Sequence, residues 1–182
     1  MKPHALLFEP LLKERVWGGT LLSRFGKSVP ASKTIGESWE LADLPDSIPD
    51  GRSRISNGPL AGLTLREAIA AHGEMIMGKA KLTGEGGFPL LIKLLDAREN
   101  LSVQVHPTAR YAAEHPGSHL KSEAWYIMHA EPGSVIYNGF NGGVTRESFA
   151  EHLRSGDIRK DLRAVPAVAG DCHYLPSGTC HA

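Results

Sequence analysis

Short stretches in which apolar and polar residues alternate recur along most of the chain, and they predict β-strands. Gly, Pro and Asn separate these stretches, as is typical of turns between strands. The strands are predicted within residues 4–10 (HALLFEP), 38–45 (SWELADLP), 88–97 (FPLLIKLLDA), 101–107 (LSVQVHP), 122–140 on either side of a turn at 131–133, and 165–182 around a second turn.

Helical spacing of apolar residues is confined to three segments. Residues 64–78 begin with Thr64 and Glu67, the pair that forms a capping box, and end at a glycine. Residues 107–117 predict one short helix, and residues 145–163 predict a further helical segment with a stop signal near Gly156. We therefore expect a mainly β protein, an antiparallel barrel or sandwich, with helical insertions at 64–78 and 145–163.

Composition excludes several classes of partner. The 182 residues carry 20 Lys+Arg and 20 Asp+Glu, so the formal net charge is zero; this argues against a nucleic-acid or membrane partner, although it is compatible with a local basic patch. The longest apolar runs are too short to span a bilayer, and residues 88–95 contain Lys93. Only 2 cysteines are present and we recognise no signal peptide, which predicts a cytoplasmic location.

Candidate metal ligands occupy alternate positions of three predicted strands. Gln104 and His106 lie two residues apart, Glu123 follows Lys121 at the same spacing, and His181 lies in the last strand. Alternate residues of a strand share one face, so these side chains converge if those faces line a barrel interior. Two imidazoles, a carboxylate and an amide oxygen suit a divalent first-row metal, zinc above all, with a position left open for water or substrate.

Taken singly, these residues have simpler explanations. A lone histidine in a strand is more often a structural residue than a ligand, and Glu123 alone is compatible with an exposed strand position. The joint pattern is more specific because the polar residues alternate with apolar ones. A carboxylate that faces an interior is costly unless it is paired or bound to a metal.

Longer motifs resemble a known family. The segment GDCHYLPSGTCHA resembles the second cupin motif, with Gly170, Asp171, Pro176, Gly178 and His181 in place. FPLLIKLLDARENLSVQVHP, KSEAWYI, VWGGTLLSRFGK and IGESWELAD resemble the type I phosphomannose isomerases. These motifs extend over about residues 8 to 182, nearly the whole chain.

The resemblance implies a cupin-type jelly roll with one zinc ion, and it assigns roles to individual residues. Lys93 has the alternative of pairing with a buried acid, Ser102 that of an ordinary strand hydroxyl, and Trp17 that of simple packing. The implied metal ligands are Gln104, His106, Glu123 and His181, the active-site lysines are Lys121 and Lys93, and the substrate-binding residues are Ser102 near the phosphate and Trp17 at the pocket wall.

The implied reaction interconverts D-mannose 6-phosphate and D-fructose 6-phosphate, an aldose–ketose exchange through an enediol or enediolate. The metal would polarise the carbonyl group. Lys121 would move a proton or hold the sugar oxygens, and the residues leave the identity of the general base open. The substrate partner is accordingly a small phosphosugar.

Members of this family continue well beyond the motif that contains His181. From this we expect residues 1–182 to form the N-terminal cupin-like, metal-binding catalytic domain, with the barrel incomplete at its C-terminal end and the second cupin half absent. We also expect weak metal binding and isomerase activity that is poor or absent. The alternatives are another metal-dependent cupin enzyme, such as an iron dioxygenase, and a non-catalytic cupin that binds sugar or metal. Gln104 and the motif KSEAWY argue against the first alternative.

Overall fold

A computed structural model describes residues 4–30 and 32–182. The chain divides into two units, Met1–Asn100 and Leu101–Ala182, each with its own sheet structure. The prediction that all 182 residues form a single cupin-like catalytic domain stays a prediction.

The first unit contains one three-stranded antiparallel sheet. Its strands are β1 (Leu11–Gly19), β2 (Ile35–Leu41) and β3 (Ile92–Leu95), in the order β1-β2-β3. The first five residues of the central strand β2 are all buried, so both faces of this part of the strand are covered. Strand β1 pairs with β2 through two register shifts, so β1 follows the sheet irregularly.

The first unit also holds the long helix α1, Leu65–Met77. Thr64 caps this helix as predicted, because its side chain accepts a bond from the amide of Glu67 while the Glu67 carboxylate accepts the amide of Thr64. One face of α1 packs into the apolar core of the unit. That core consists of Ile55, Leu60 and Ala68, with Leu6, Phe8, Leu63 and Ile76 packed around them.

Six short strands build the second unit: β4 (Gln104–Val105), β5 (Glu123–Tyr126), β6 (Val135–Phe140), β7 (Leu162–Pro166), β8 (Cys172–Leu175) and β9 (Cys180–His181). Four of them form an antiparallel sheet in the order β4-β9-β6-β7, and β5 pairs with β8 separately. The mainly β, antiparallel class predicted from the sequence is confirmed.

Two helices connect strands of the second unit, α2 (Ala109–Glu114) and α3 (Arg146–Ser155). The stop predicted near Gly156 is confirmed, and a short 3-10 turn follows at Ile158–Lys160; the helical insertion predicted for 145–163 was wrong only at its end, where β7 begins. Gly156 ends the helix with a left-handed φ of 81°, and Leu162 already belongs to β7, paired with β6. None of the helices within the described residues has the length and apolar character that a bilayer crossing requires.

Two further expectations about strands were wrong. Residues 4–10, all of which are described, form no strand, and Phe8 makes only an isolated bridge to Ile55. Strands β1 and β7 were not predicted at all. Neither segment shows a clean alternation of apolar and polar residues. In the structure β1 pairs irregularly with β2, and β7 follows closely on a helical segment and pairs with β6.

Candidate metal centre

Three side chains of the second unit converge on one point. One ligand atom from each of His106, Glu123 and His181 lies within 4.8 Å of the other two. His106 Nε2 is 3.5 Å from Glu123 Oε1, and His181 Nε2 is 3.8 Å from Glu123 Oε2. The convergence expected from the alternation of strand residues is therefore present for these three residues.

The ladder around β9 explains how His181 is held. Strand β9 lies between β4 and β6, where His181 is the register partner of Gln104 on one side and of Asn138 on the other. Ala182 exchanges two backbone hydrogen bonds with Tyr137, at 2.9 and 3.1 Å. Although His181 is the penultimate residue of the sequence, only 3% of its surface is exposed.

Strand β5 delivers Glu123 through its pairing with β8. Glu123 and Trp125 lie on the partly buried face, whereas Ala124 and Tyr126 on the opposite face are exposed. This is the two-residue period of a half-buried strand. It places the carboxylate, with 14% of its side chain exposed, beside both imidazoles.

Both imidazoles turn their Nε2 atoms toward the Glu123 carboxylate. His181 Nδ1 lies 2.8 Å from the carbonyl oxygen of Thr179, which only accepts, so this ring carries its proton on Nδ1. The Nε2 atoms of His106 and His181 are buried and have no hydrogen-bond partner among the described residues. Buried polar atoms are rarely left in this state, and a metal ion would satisfy both.

The pKa of His106 is lowered from its ordinary value. Burial contributes most, and the positive charge of Lys121 adds to it, against the opposing effect of Glu123. A lowered pKa keeps the ring neutral, and the neutral imidazole is the form that binds a metal.

Lys121 lies next to the cluster, as the sequence indicates. Its ammonium is 2.7 Å from Glu123 Oε1, and 44% of its side chain is exposed. The backbone amide of Lys121 donates to Ser177 Oγ, and the amide of Ser177 donates to Ser122 Oγ. These two bonds tie the segment before β5 to the turn before β9, so Lys121 and His181 are supported by the same piece of chain.

Gln104 and Ser102 lie at the same edge of the second unit. Both are exposed, and the amide nitrogen of Gln104 donates to Ser102 Oγ over 3.1 Å. This leaves the amide oxygen of Gln104 available as an acceptor. The role of Gln104 as a fourth ligand and that of Ser102 in substrate binding stay predictions.

Lys93 lies in the first unit, on β3, and pairs with a buried acid. Its ammonium is 3.1 Å from Oε1 of Glu37, whose other oxygen binds Arg15 at 2.7 Å and the Trp39 indole at 3.0 Å. Burial raises the pKa of Glu37, but Lys93, the Trp39 bond and Arg15 outweigh burial and the net pKa is lowered. The active-site role of Lys93 stays a prediction.

Trp17 is a partly buried residue of β1 in the first unit. Its carbonyl oxygen accepts the amides of Arg98 and Glu99, at 3.0 and 3.2 Å. These contacts show how its backbone is held, and its place at a pocket wall stays a prediction.

Sequence reasoning gave no role to Trp125, although it lies on the same strand face as Glu123. The indole N–H of Trp125 donates to Glu123 Oε2 over 2.8 Å, and its ring meets His181 edge-on with the centroids 5.7 Å apart. The available signal was the spacing of two residues, but spacing alone does not show which side chains bond to each other.

An antiparallel β fold with a cluster of two histidines and one carboxylate is typical of metal-binding cupin proteins. Residues 6–123 match the model of the phosphomannose isomerase type I catalytic domain. The chain is also 42% identical, over 98% of its length, to the "Probable mannose-6-phosphate isomerase GmuF" of Bacillus subtilis. The chain therefore belongs to the type I phosphomannose isomerase family.

Solved structures agree in fold. The mannose 6-phosphate isomerase structure from Bacillus subtilis matches 97% of this chain and 54% of its own, with a TM-score of 0.81 and 37% identity. A structure described as mannose 6-phosphate isomerase (holo; zinc bound) matches 97% of this chain and 64% of its own, with a TM-score of 0.66 and 17% identity, a likeness of fold alone. The cupin-type fold predicted from the sequence is confirmed by these neighbours. The chain spans about half the length of the curated relatives that it matches.

Proposed function

We propose that this chain carries the metal site of an enzyme that interconverts D-mannose 6-phosphate and D-fructose 6-phosphate. The observation that supports it most is the cluster of His106, Glu123 and His181, whose ligand atoms lie within 4.8 Å of one another. Membership of the phosphomannose isomerase family and the names of the relatives supply the substrate.

Zinc is the metal we propose. His106 and His181 would bind it through Nε2 and Glu123 through its carboxylate, with the amide oxygen of Gln104 as a fourth ligand. The fit rests on two buried nitrogens without a hydrogen-bond partner among the described residues and on the carboxylate of Glu123, which lies 3.5 and 3.8 Å from them. When bound, such an ion polarises a substrate carbonyl group and stabilises the negative charge that develops on its oxygen. The relative described as zinc-bound supports this choice.

The isomerisation needs a proton to leave C2 of the aldose and a proton to reach C1, with the carbonyl group moving from C1 to C2. An enediol or enediolate lies between the two sugars. Lys121 has its ammonium 2.7 Å from Glu123 Oε1, so it is placed beside the metal ligands. From there it would donate a hydrogen bond to the sugar oxygens or pass a proton between them. We assign no residue as the base at carbon.

The remaining substrate contacts follow from family resemblance. Ser102 would contribute to binding of the phosphate, Lys93 would serve as a second active-site cation, and Trp17 would line the pocket. Ser102 is held beside Gln104 by their 3.1 Å hydrogen bond, which supports a place near the metal ligands. A cytoplasmic location stays a prediction.

Solvent exchange tests this function and separates it from its alternatives. The zinc-loaded chain is incubated with mannose 6-phosphate in D2O, and NMR follows the hydrogen on C2 and the appearance of fructose 6-phosphate. We expect exchange and conversion that are lost in His181→Ala. The expected activity is low beside that of the Bacillus subtilis isomerase assayed in parallel.

The alternatives give different results in the same experiment. Binding of mannose 6-phosphate without C2 exchange would show a non-catalytic cupin. Oxygen consumption by an iron-loaded sample, without conversion of the sugar, would show an oxidative cupin enzyme. Either result would contradict the isomerase proposal.

A further inference from the structure

Glu123 is the only carboxylate in the three-residue cluster, and its two oxygens have different surroundings. Oε1 faces the Lys121 ammonium at 2.7 Å and His106 Nε2 at 3.5 Å. Oε2 accepts the indole N–H of Trp125 at 2.8 Å and lies 3.8 Å from His181 Nε2. The indole N–H of Trp125, a neutral donor, thus orients the carboxylate through its bond to Oε2.

The torsion that turns a glutamate carboxylate about its last bond is broad, so packing alone sets its plane weakly. A directed N–H bond to Oε2 restricts that torsion, and it keeps Oε1 toward His106 and Oε2 beside His181. The donor itself is held by its own packing, since the ring of Trp125 meets the His181 ring edge-on at 5.7 Å. One side chain therefore contacts two of the three candidate ligands.

We propose that Trp125 is a positioning residue of the metal site, which orients the carboxylate of Glu123 and supports the ring of His181. This inference rests on the metal site proposed above. Trp125 is not a ligand, because an indole offers a donor and no lone pair to a cation. It acts through Glu123, as outer partners of metal ligands do.

The test is zinc affinity of the full 182-residue chain, measured by competition with a chromogenic chelator. Trp125→Phe keeps an aromatic ring and removes the N–H donor. Loss of such a partner typically costs 10- to 100-fold in metal affinity, and we expect about a 10-fold loss here. Tyr126→Phe is the matched control, because it changes the next residue of β5 on the exposed face. It should bind zinc as the unchanged chain does.

Cobalt supplies a readout that general destabilisation would not produce. The visible absorption of bound Co²⁺ reports ligand geometry, so Trp125→Phe should change its shape and intensity at full occupancy, whereas Tyr126→Phe should not. Equal zinc affinity and an unchanged cobalt spectrum in Trp125→Phe would overturn the inference while leaving the metal site in place. If the unchanged chain binds no zinc, both the inference and the proposed function fail.

A measurement on the unchanged chain covers the case in which Trp125→Phe does not fold. The chain has 3 tryptophans, so three indole N–H signals are expected in a ¹H–¹⁵N spectrum. Zinc titration should shift one indole signal far more than the other two, and selective labelling should assign it to Trp125. Absence of any zinc-dependent shift at Trp125 would contradict its contact with a ligand carboxylate.

Discussion

His181 Nδ1 lies 2.8 Å from the backbone carbonyl oxygen of Thr179, two residues earlier in the chain. That bond fixes the tautomer and aims Nε2 at Glu123, whose Oε2 is 3.8 Å away. A ring prepared in this way is a ready ligand, since its lone pair is on the buried side and already stripped of water. The proposed metal site depends on this orientation.

Removal of that ring should remove metal binding. We expect His181→Ala to lower zinc affinity by more than the roughly 10- to 100-fold cost of losing an outer partner, because a direct ligand is lost. Equilibrium dialysis with metal analysis measures it. His129→Ala is the control, since 43% of the His129 side chain is exposed and its partner is Glu131. Equal zinc affinity in His181→Ala and the unchanged chain would contradict the ligand assignment.

Lys121 should affect turnover without supporting the metal. Its ammonium neutralises Glu123 at 2.7 Å, where it competes with a bound cation. In Lys121→Met we expect zinc affinity equal to or above that of the unchanged chain, and isomerase activity reduced by at least about 100-fold, as for loss of a proton-transfer group. Lys160→Met, which changes a lysine with 65% of its side chain exposed, should alter neither. If Lys121→Met lowered zinc affinity and isomerase activity together, Lys121 would not act in turnover alone.

Replacement of Gly178, in the turn that leads to His181, should destabilise the chain. Its φ is +95°, and an added Cβ would lie 2.6 Å from Thr108 Cγ2. We expect Gly178→Ala to lower the free energy of unfolding by about 1–3 kcal/mol for the backbone alone, with a further loss from the clash. Denaturant unfolding measures both.

Two companions separate these contributions. Gly133→Ala imposes a similar φ of +84° where a Cβ meets nothing within 4 Å, so it should show the backbone cost without the clash. Thr108→Ser removes Cγ2 and keeps the hydroxyl that caps α2, so it should recover part of the loss when combined with Gly178→Ala. If Thr108→Ser restored none of the unfolding free energy lost in Gly178→Ala, the contact with Thr108 Cγ2 would not contribute to that loss.

Glu37 should make the first unit sensitive to acid. Because its pKa is lowered in the folded state, Glu37 contributes stability that is fully present above its unfolded value of 4.5 and is lost as the pH falls through the folded pKa. In Glu37→Gln, the unfolding free energy should therefore fall less steeply below about pH 4.5 than in the unchanged chain. Glu14→Gln is the control, because 58% of the Glu14 side chain is exposed, and it should keep the slope of the unchanged chain. An unchanged acid slope in Glu37→Gln would contradict this.

The face on which each candidate ligand lies was predictable because strand geometry is local. The two-residue period places Glu123 on the partly buried face and Tyr126 on the exposed face, and it needs no knowledge of the rest of the fold. Capping of α1 by Thr64 was predictable for the same reason. That β9 lies between β4 and β6 was not predictable, since strand order depends on the whole unit.

What the sequence could not provide is the set of contacts between side chains. The alternation of strand residues placed Trp125 on the same face as Glu123, but it did not show the hydrogen bond to Oε2. It also placed Gln104 on the same face as His106, but it did not show that Gln104 is exposed. The helical insertion predicted for 145–163 overlapped the first two residues of β7, although Gly156 ends the α-helix several residues earlier. Long-range pairing with β6 decided the structure there, against the local pattern.

The most direct test of the central claim is a crystal structure of the zinc-loaded chain, with anomalous diffraction recorded on both sides of the zinc absorption edge. We predict one anomalous peak at about 2.0–2.2 Å from His106 Nε2, His181 Nε2 and a carboxylate oxygen of Glu123. A peak bound through other residues, or no peak at these three side chains in a fully loaded crystal, would contradict the account.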